Sequence, residues 1–113
     1  MHNWIENLNA EFARADNARS RENEGQARVC ARRAAGIAIR EYLNRRGRRV
    51  TTASAYDLLN SLKDDPSFPP DLKPVLDHLT LRVTEEFKLP VEADLVAEAR
   101  RLCTALLPEW EIH

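Results

Sequence analysis

The chain has 113 residues and a mass of 12.9 kDa, 43% hydrophobic, with six prolines and three glycines. That is room for one domain, 1–113, with its own core, and it excludes fibrous and low-complexity classes. The net charge of −1 conceals an asymmetry: residues 1–56 carry eleven arginines and no lysine against six acids, and residues 57–113 carry six basic residues against twelve acids. No apolar run approaches the ~20 residues of a membrane span, and no secretory signal follows Met1. Cys30 and Cys103 form no CxxC pair, so the expectation is a reduced, cytoplasmic protein without a membrane partner.

In chain order, Asn3-Trp4-Ile5-Glu6 reads as a capping box opening a first helix. Trp4, Leu8 and Phe12, with Ile5 and Ala15, share one stripe of it, to about Ala18. The polar stretch from Ser20 to Gly25 bends or breaks the chain. A second, longest helix is expected from about Asn23 to Arg46. Ala27, Cys30, Ala31, Ala34, Ala35 and Ala38 form a seam of small side chains, extended by Ile37 and Tyr42. Small residues admit close helix approach, which predicts a central position. Gly47 is the expected C-terminal cap, with Arg45 and Arg46 in the last turn.

Ser54-Ala55-Tyr56-Asp57 starts a third helix with Ala55, Leu58, Leu59 and Leu62 inward. Residues 63–70 hold three prolines and read as a loop. A fourth helix starts near Pro70 or Asp71 and carries Leu72, Val75, Leu76, Leu79 and Val83, with Pro74 tolerated in its first turn. Phe87-Lys88-Leu89-Pro90 forms a second connection. Asp94 or Glu92 then caps a fifth helix with Leu95, Ala99, Leu102 and Leu106 inward, ended by Pro108, and Glu109 to His113 reads as a short tail. No alternating strand pattern competes. The expected fold is all-α: an up-and-down bundle of four main helices plus one short helix.

No catalytic or metal-ligating set stands out, and no cofactor is expected. His2, His78 and His113 have no metal-ligand spacing, and no Gly-rich phosphate loop or HExxH occurs. Cys30 and Cys103 fall on apolar faces, where cysteine acts as a small hydrophobe. The Asp64-Asp65 and Glu85-Glu86 pairs read as solvent-exposed charge. The conspicuous feature lies between Arg28 and Arg49, where eight arginines face only Glu41. It is either a solvated helix face or a surface for phosphate or carboxylate. Arg28, Arg32 and Arg40 lie near one helical face with Arg33 at its edge, and these four are the candidate nucleotide- or phosphate-binding residues.

The order of elements resembles the HEPN family, nucleotide-binding helical domains found beside, or fused with, minimal nucleotidyltransferases. The resemblance spans nearly the whole chain. It rests on the Ala-rich second helix RVCARRAAGIAIREYLNRRG, on SAYDLLNSL, and on the Pro-terminated connection and acid-started last helix in FKLPVEADLVAEARRL. Tyr56-Asp57-Leu58 matches the Asp-Leu part of the family's His-Asp-Leu, and Lys88-Leu89-Pro90 parallels its Arg-Tyr-Pro. RNase members carry an Arg followed after four to six residues by His, and no Arg here has a His at that spacing. The resemblance therefore implies binding without cleavage. It further implies a homodimer through the small-residue helix or its neighbour, binding a nucleotide, RNA or a nucleotidyltransferase partner. The alternative is a helical protein–protein interaction module in which basic and acidic halves meet, without nucleic-acid binding. A helix-turn-helix DNA binder fits less well, because the Gly47 turn leads only to a short helix and the pI is about 6.3.

Overall fold

A computed structural model describes residues 3–81 and 93–112. Among the described residues five α-helices form, α1 (Trp4–Ser20), α2 (Glu24–Arg45), α3 (Ala55–Lys63), α4 (Lys73–Thr80) and α5 (Leu95–Leu106), with 3-10 turns at Pro70–Leu72 and Pro108–Ile112. No strand occurs among the described residues. The architecture is the all-α bundle read from the periodicity. Val83, Glu85-Glu86, the Phe87-to-Pro90 connection, Glu92, His2 and His113 lie outside the described residues.

Each long helix starts where a side chain can absorb an orphan amide. Asn3 Oδ1 accepts from the Glu6 amide at 3.1 Å, Asn23 Oδ1 from Gln26 at 3.1 Å, Ser54 Oγ from Asp57 at 3.2 Å and Asp94 Oδ1 from Ala97 at 3.1 Å. At α3 the expected box is modified. Thr52 Oγ1 accepts from the Ser54 amide and donates to Asp57 Oδ2, at 3.1 Å each.

The α1–α2 connection is sharper than its polar composition suggests. α1 runs to Ser20, two residues past the expected end, and closes with a left-handed residue, Glu22 at φ 59°. The Asn23 amide bonds Ala18 O at 2.8 Å and the Glu22 amide bonds Arg19 O at 3.0 Å, the paired pattern that satisfies terminal carbonyls. α2 ends the same way at Gly47, φ 69°, with Arg48 N on Leu43 O at 3.0 Å and Gly47 N on Asn44 O at 3.1 Å. Gly47 fits that conformation without strain, whereas Glu22 carries a Cβ against it. Glu22→Gly should therefore stabilise the protein by roughly 0.5–1 kcal/mol, read as a raised midpoint in urea at unchanged m-value.

α2 is the spine, packed against α1, α3 and α5. Ala27, Cys30, Ala31, Ala34, Ala35 and Ala38 are buried as expected, together with Gly36, Ile39 and Leu43. Ile37 and Tyr42 are partly buried and pack against this core. A Cβ placed on Gly36 would lie 2.8 Å from Ala55 Cβ and 3.2 Å from Ala55 Cα, so glycine sets how closely α3 approaches. α5 runs antiparallel to α1. Arg19 at the end of α1 bonds Glu24 and Asp94 at 2.7 and 3.0 Å, and Arg100 bonds Asp16 at 3.0 Å with its guanidinium 4.5 Å from the Phe12 ring centroid.

Two expectations are corrected. The residues after Pro108 are not a loose tail: Trp110 is buried, its ring 5.2 Å from Phe12 and its indole N–H donating to Asn9 Oδ1 at 2.8 Å. Nor is Asp65 exposed charge. Its carboxylate is buried, accepting the Ser67 amide at 2.9 Å and hydroxyl at 2.7 Å, with Arg48 Nη1 at 3.2 Å. The Ser67 bonds, helped by Arg46 and Arg48, hold its pKa below the usual carboxylate range. The acid organises the proline loop, whose Phe68 joins the core.

Candidate anion-binding groove

The arginines of the Arg28–Arg49 stretch divide by function. Those at the C-terminal end of α2 are structural. Arg45 pairs with Glu41 and Glu109 and lies over the Trp4 ring, Arg46 bonds Tyr42 Oη and Ser67 Oγ, and Arg48 holds Asp65. The four candidates lie further back along the helix and have different surroundings.

Arg32 Nε donates to Leu79 O at 2.7 Å and Nη2 to Leu81 O at 2.8 Å, closing the C-terminal end of α4. Burial, with Arg28 beside it, lowers its pKa from the usual guanidinium value. Arg40 Nη2 donates to Thr52 O at 2.8 Å, joining α2 to the segment before α3. These guanidinium groups are not simply turned out to solvent. Each is fixed by backbone carbonyls and keeps other N–H groups for a further acceptor. Arg33 is exposed and enters no hydrogen bond or ion pair with a described residue. Arg28 is half-buried, with its Nε buried and unpartnered.

A groove of about 470 Å³ runs along α2 between α1 and the start of α3, and Arg32, Arg33 and Arg40 all line it. Its floor is Gly36 and Ile37 of α2 with Ala55 and Leu58 of α3, and Val29 also lines it. A smaller recess of about 180 Å³, lined by Trp4, Asn7 and Asn44, shares Ile37 and Arg40 with it. The volume suits a small organic ligand: an apolar bed with a few fixed polar groups. Arg28 is not among the lining residues, so three of the four candidates come together and the fourth does not.

Sequence reasoning missed Glu11. It lines the groove from α1, and its side chain is 13% exposed. Among the described residues its Oε1 is buried without a hydrogen-bond partner, and its Oε2 has only Arg14 Nη1 at 3.4 Å. A buried acceptor left unsatisfied costs about 1–3 kcal/mol. Glu11 had a signal, being three residues after Leu8 and four before Ala15 on the apolar stripe of α1, but only the α1–α2 packing brings it to the arginines. Val29 and Ile37 had a signal, because positions 29, 33, 36, 37 and 40 repeat at helical spacing on a face distinct from the alanine seam.

The remaining chemistry lies elsewhere. A cleft of about 630 Å³ between Pro69–Leu72 and α5 is larger, but Arg100 there is committed to Asp16 and Phe12, and Asp71 shares the wall with Arg101. Cys30 and Cys103 are free and buried, and burial pushes the Cys103 thiol up to about 12, far from nucleophilic. His78 Nδ1 lies 2.7 Å from Glu98 Oε1, linking α4 to α5. Among the described residues no three His, Cys, Asp or Glu side chains are grouped to hold a metal ion. No helix of the described residues is long and apolar enough to cross a membrane.

No family model matches the chain, and neither a curated protein nor a solved structure matches it.

Proposed function

We propose that this chain is a non-catalytic, HEPN-like binding module whose α2 groove takes the phosphate of a nucleotide or of an RNA segment. The observation that carries the reading is the convergence of Arg32, Arg33 and Arg40 on one groove with an apolar floor. Arg32 and Arg40 are held by carbonyls before any ligand arrives, so little side-chain freedom is lost on binding. Arg33 supplies a cation with no ion-pair partner among the described residues, and the apolar bed suits a base. The absent Arg-to-His spacing favours binding over cleavage. A homodimer and a nucleotidyltransferase partner belong to the same proposal, through the family resemblance.

The test is a titration of labelled single-stranded RNA at low and moderate salt, with native and Arg33→Ala/Arg40→Ala protein. The double variant should bind about 10–100-fold more weakly, and its log–log salt slope should fall by about 1.4, two single-strand phosphate contacts. Circular dichroism checks that the variant is folded, since Arg40 also braces Thr52. Absence of binding by the native protein at low salt, or an unchanged slope, overturns the reading. A protein-interaction module is the second reading, favoured by Val29 and Tyr56, which are large hydrophobics 36% and 39% exposed. Salt-sensitive self-association without RNA binding would select it.

A further inference from the structure

We propose that Glu11 makes the groove selective for ribose over deoxyribose, accepting a hydrogen bond from a 2′-hydroxyl; this rests on the nucleotide- or RNA-binding reading of the same groove. An arginine-lined site built for a bare anion gains nothing from a carboxylate on its wall, because the like charge repels the ligand. Yet Glu11 lines this groove together with Arg32, Arg33 and Arg40. Its side chain is 13% exposed and its Oε1, enclosed in the free protein, has no hydrogen-bond partner among the described residues, so the carboxylate has an unfilled acceptor position that a small turn of the side chain offers to a ligand in the groove. No groove arginine lies within ion-pair distance of it; Arg14, outside the groove, is its one ion-pair partner among the described residues. The geometry therefore pairs a cationic side on α2 with an acceptor on α1 across an apolar floor. A ligand satisfies both only if it carries an O–H or N–H donor close to its phosphate.

A ribonucleotide meets that requirement: its phosphate falls to the arginines, its base to Ile37 and Leu58, and its sugar hydroxyl to Glu11. The 2′-hydroxyl is the donor that RNA keeps when its 3′-oxygen is esterified and that DNA lacks. A donor in the base would satisfy Glu11 equally in both sugars, so the comparison of sugars separates the two sources. A ligand hydroxyl on the turned carboxylate also fills an acceptor that the free protein leaves unsatisfied.

The experiment measures binding of ribo- and deoxyribo-oligoadenylates of equal length to the native chain, Glu11→Ala and Glu11→Gln. The native protein should prefer the ribo strand by about tenfold, the worth of a hydrogen bond to a charged acceptor. Glu11→Ala should bring that ratio close to one while deoxyribo binding holds or tightens, since a repelling charge has gone. Glu11→Gln keeps an acceptor without the charge and should give an intermediate ratio, which a merely structural role would not produce. Thermal melts should show both variants at least as stable as the native chain. A native ratio near one, or a preference that survives Glu11→Ala, overturns the inference. If both strands bind equally and still depend on Arg33 and Arg40, the phosphate-groove reading stands without it. Failure of both strands to bind ends both.

Discussion

Trp110→Ala should lower the stability of the protein by about 3–5 kcal/mol, the cost of truncating a buried tryptophan. The indole is 8% exposed and stacks on Phe12, itself 2% exposed. The 3-10 turn from Pro108 aims it back across the bundle end onto α1, and the indole N–H on Asn9 fixes its orientation. Removing the ring exposes one face of Phe12 and releases the last turn. Total stability for a chain of this length is about 6–17 kcal/mol, so the loss is a large fraction of it. The thermal midpoint should fall by roughly 10–20 °C. Trp110→Phe, which keeps the stacking and loses the N–H to an exposed Asn9, should cost under about 1.5 kcal/mol. Equal stability of Trp110→Ala and the native chain in urea would show that the turn does not dock.

Gly36→Leu should destabilise by about 3 kcal/mol and block the groove at the same time. The gain in helix propensity from losing a glycine is about 0.8 kcal/mol and acts in the opposite direction. It is outweighed because the new Cβ meets Ala55 Cβ at 2.8 Å and, at 3.2 Å, the Cα of that residue, which is backbone and cannot swing aside. α3 has to move outward, exposing part of Leu58, Leu59 and Leu62 to water. Gly36 also lines the groove floor, so the leucine occupies ligand space. Gly36→Ala should show the milder form, with a smaller loss of stability. If Gly36→Leu melts at the native temperature, α3 does not approach α2 this closely.

The candidate site was legible only in part. Arg32, Arg33 and Arg40 share a groove because steps of eight and seven residues return Arg40 to the side of the helix that carries Arg32 and Arg33. The same reasoning placed Arg28 with them, and there it failed: Arg28 is partly enclosed and lines no part of the groove. A helical wheel ranks residues by angle on one cylinder and carries no information about what the neighbouring helices cover. Glu11 shows the converse. Its place on the stripe of Leu8 and Ala15 marks it as inward-facing, unlike Glu6 at the exposed helix start, but only the packed bundle shows that arginines lie beside it.

Asp65 and Trp110 were misread for a related reason. Adjacent acids and a short segment after a proline are usually solvated. Here Ser67 and Arg48 satisfy Asp65, and the Phe12 face covers Trp110. Both depend on contacts between residues that local periodicity does not relate.

The order, type and approximate limits of the helices followed from the chain itself, because caps, glycine stops, prolines and 3.6-residue periodicity act within a few residues of one another. Which arginines stay available, which carboxylate joins them and how the C-terminal turn packs were decided only on assembly. Those outcomes depend on whether a side chain finds a carbonyl, an acid or open solvent across the interface, and that is a property of the packed bundle.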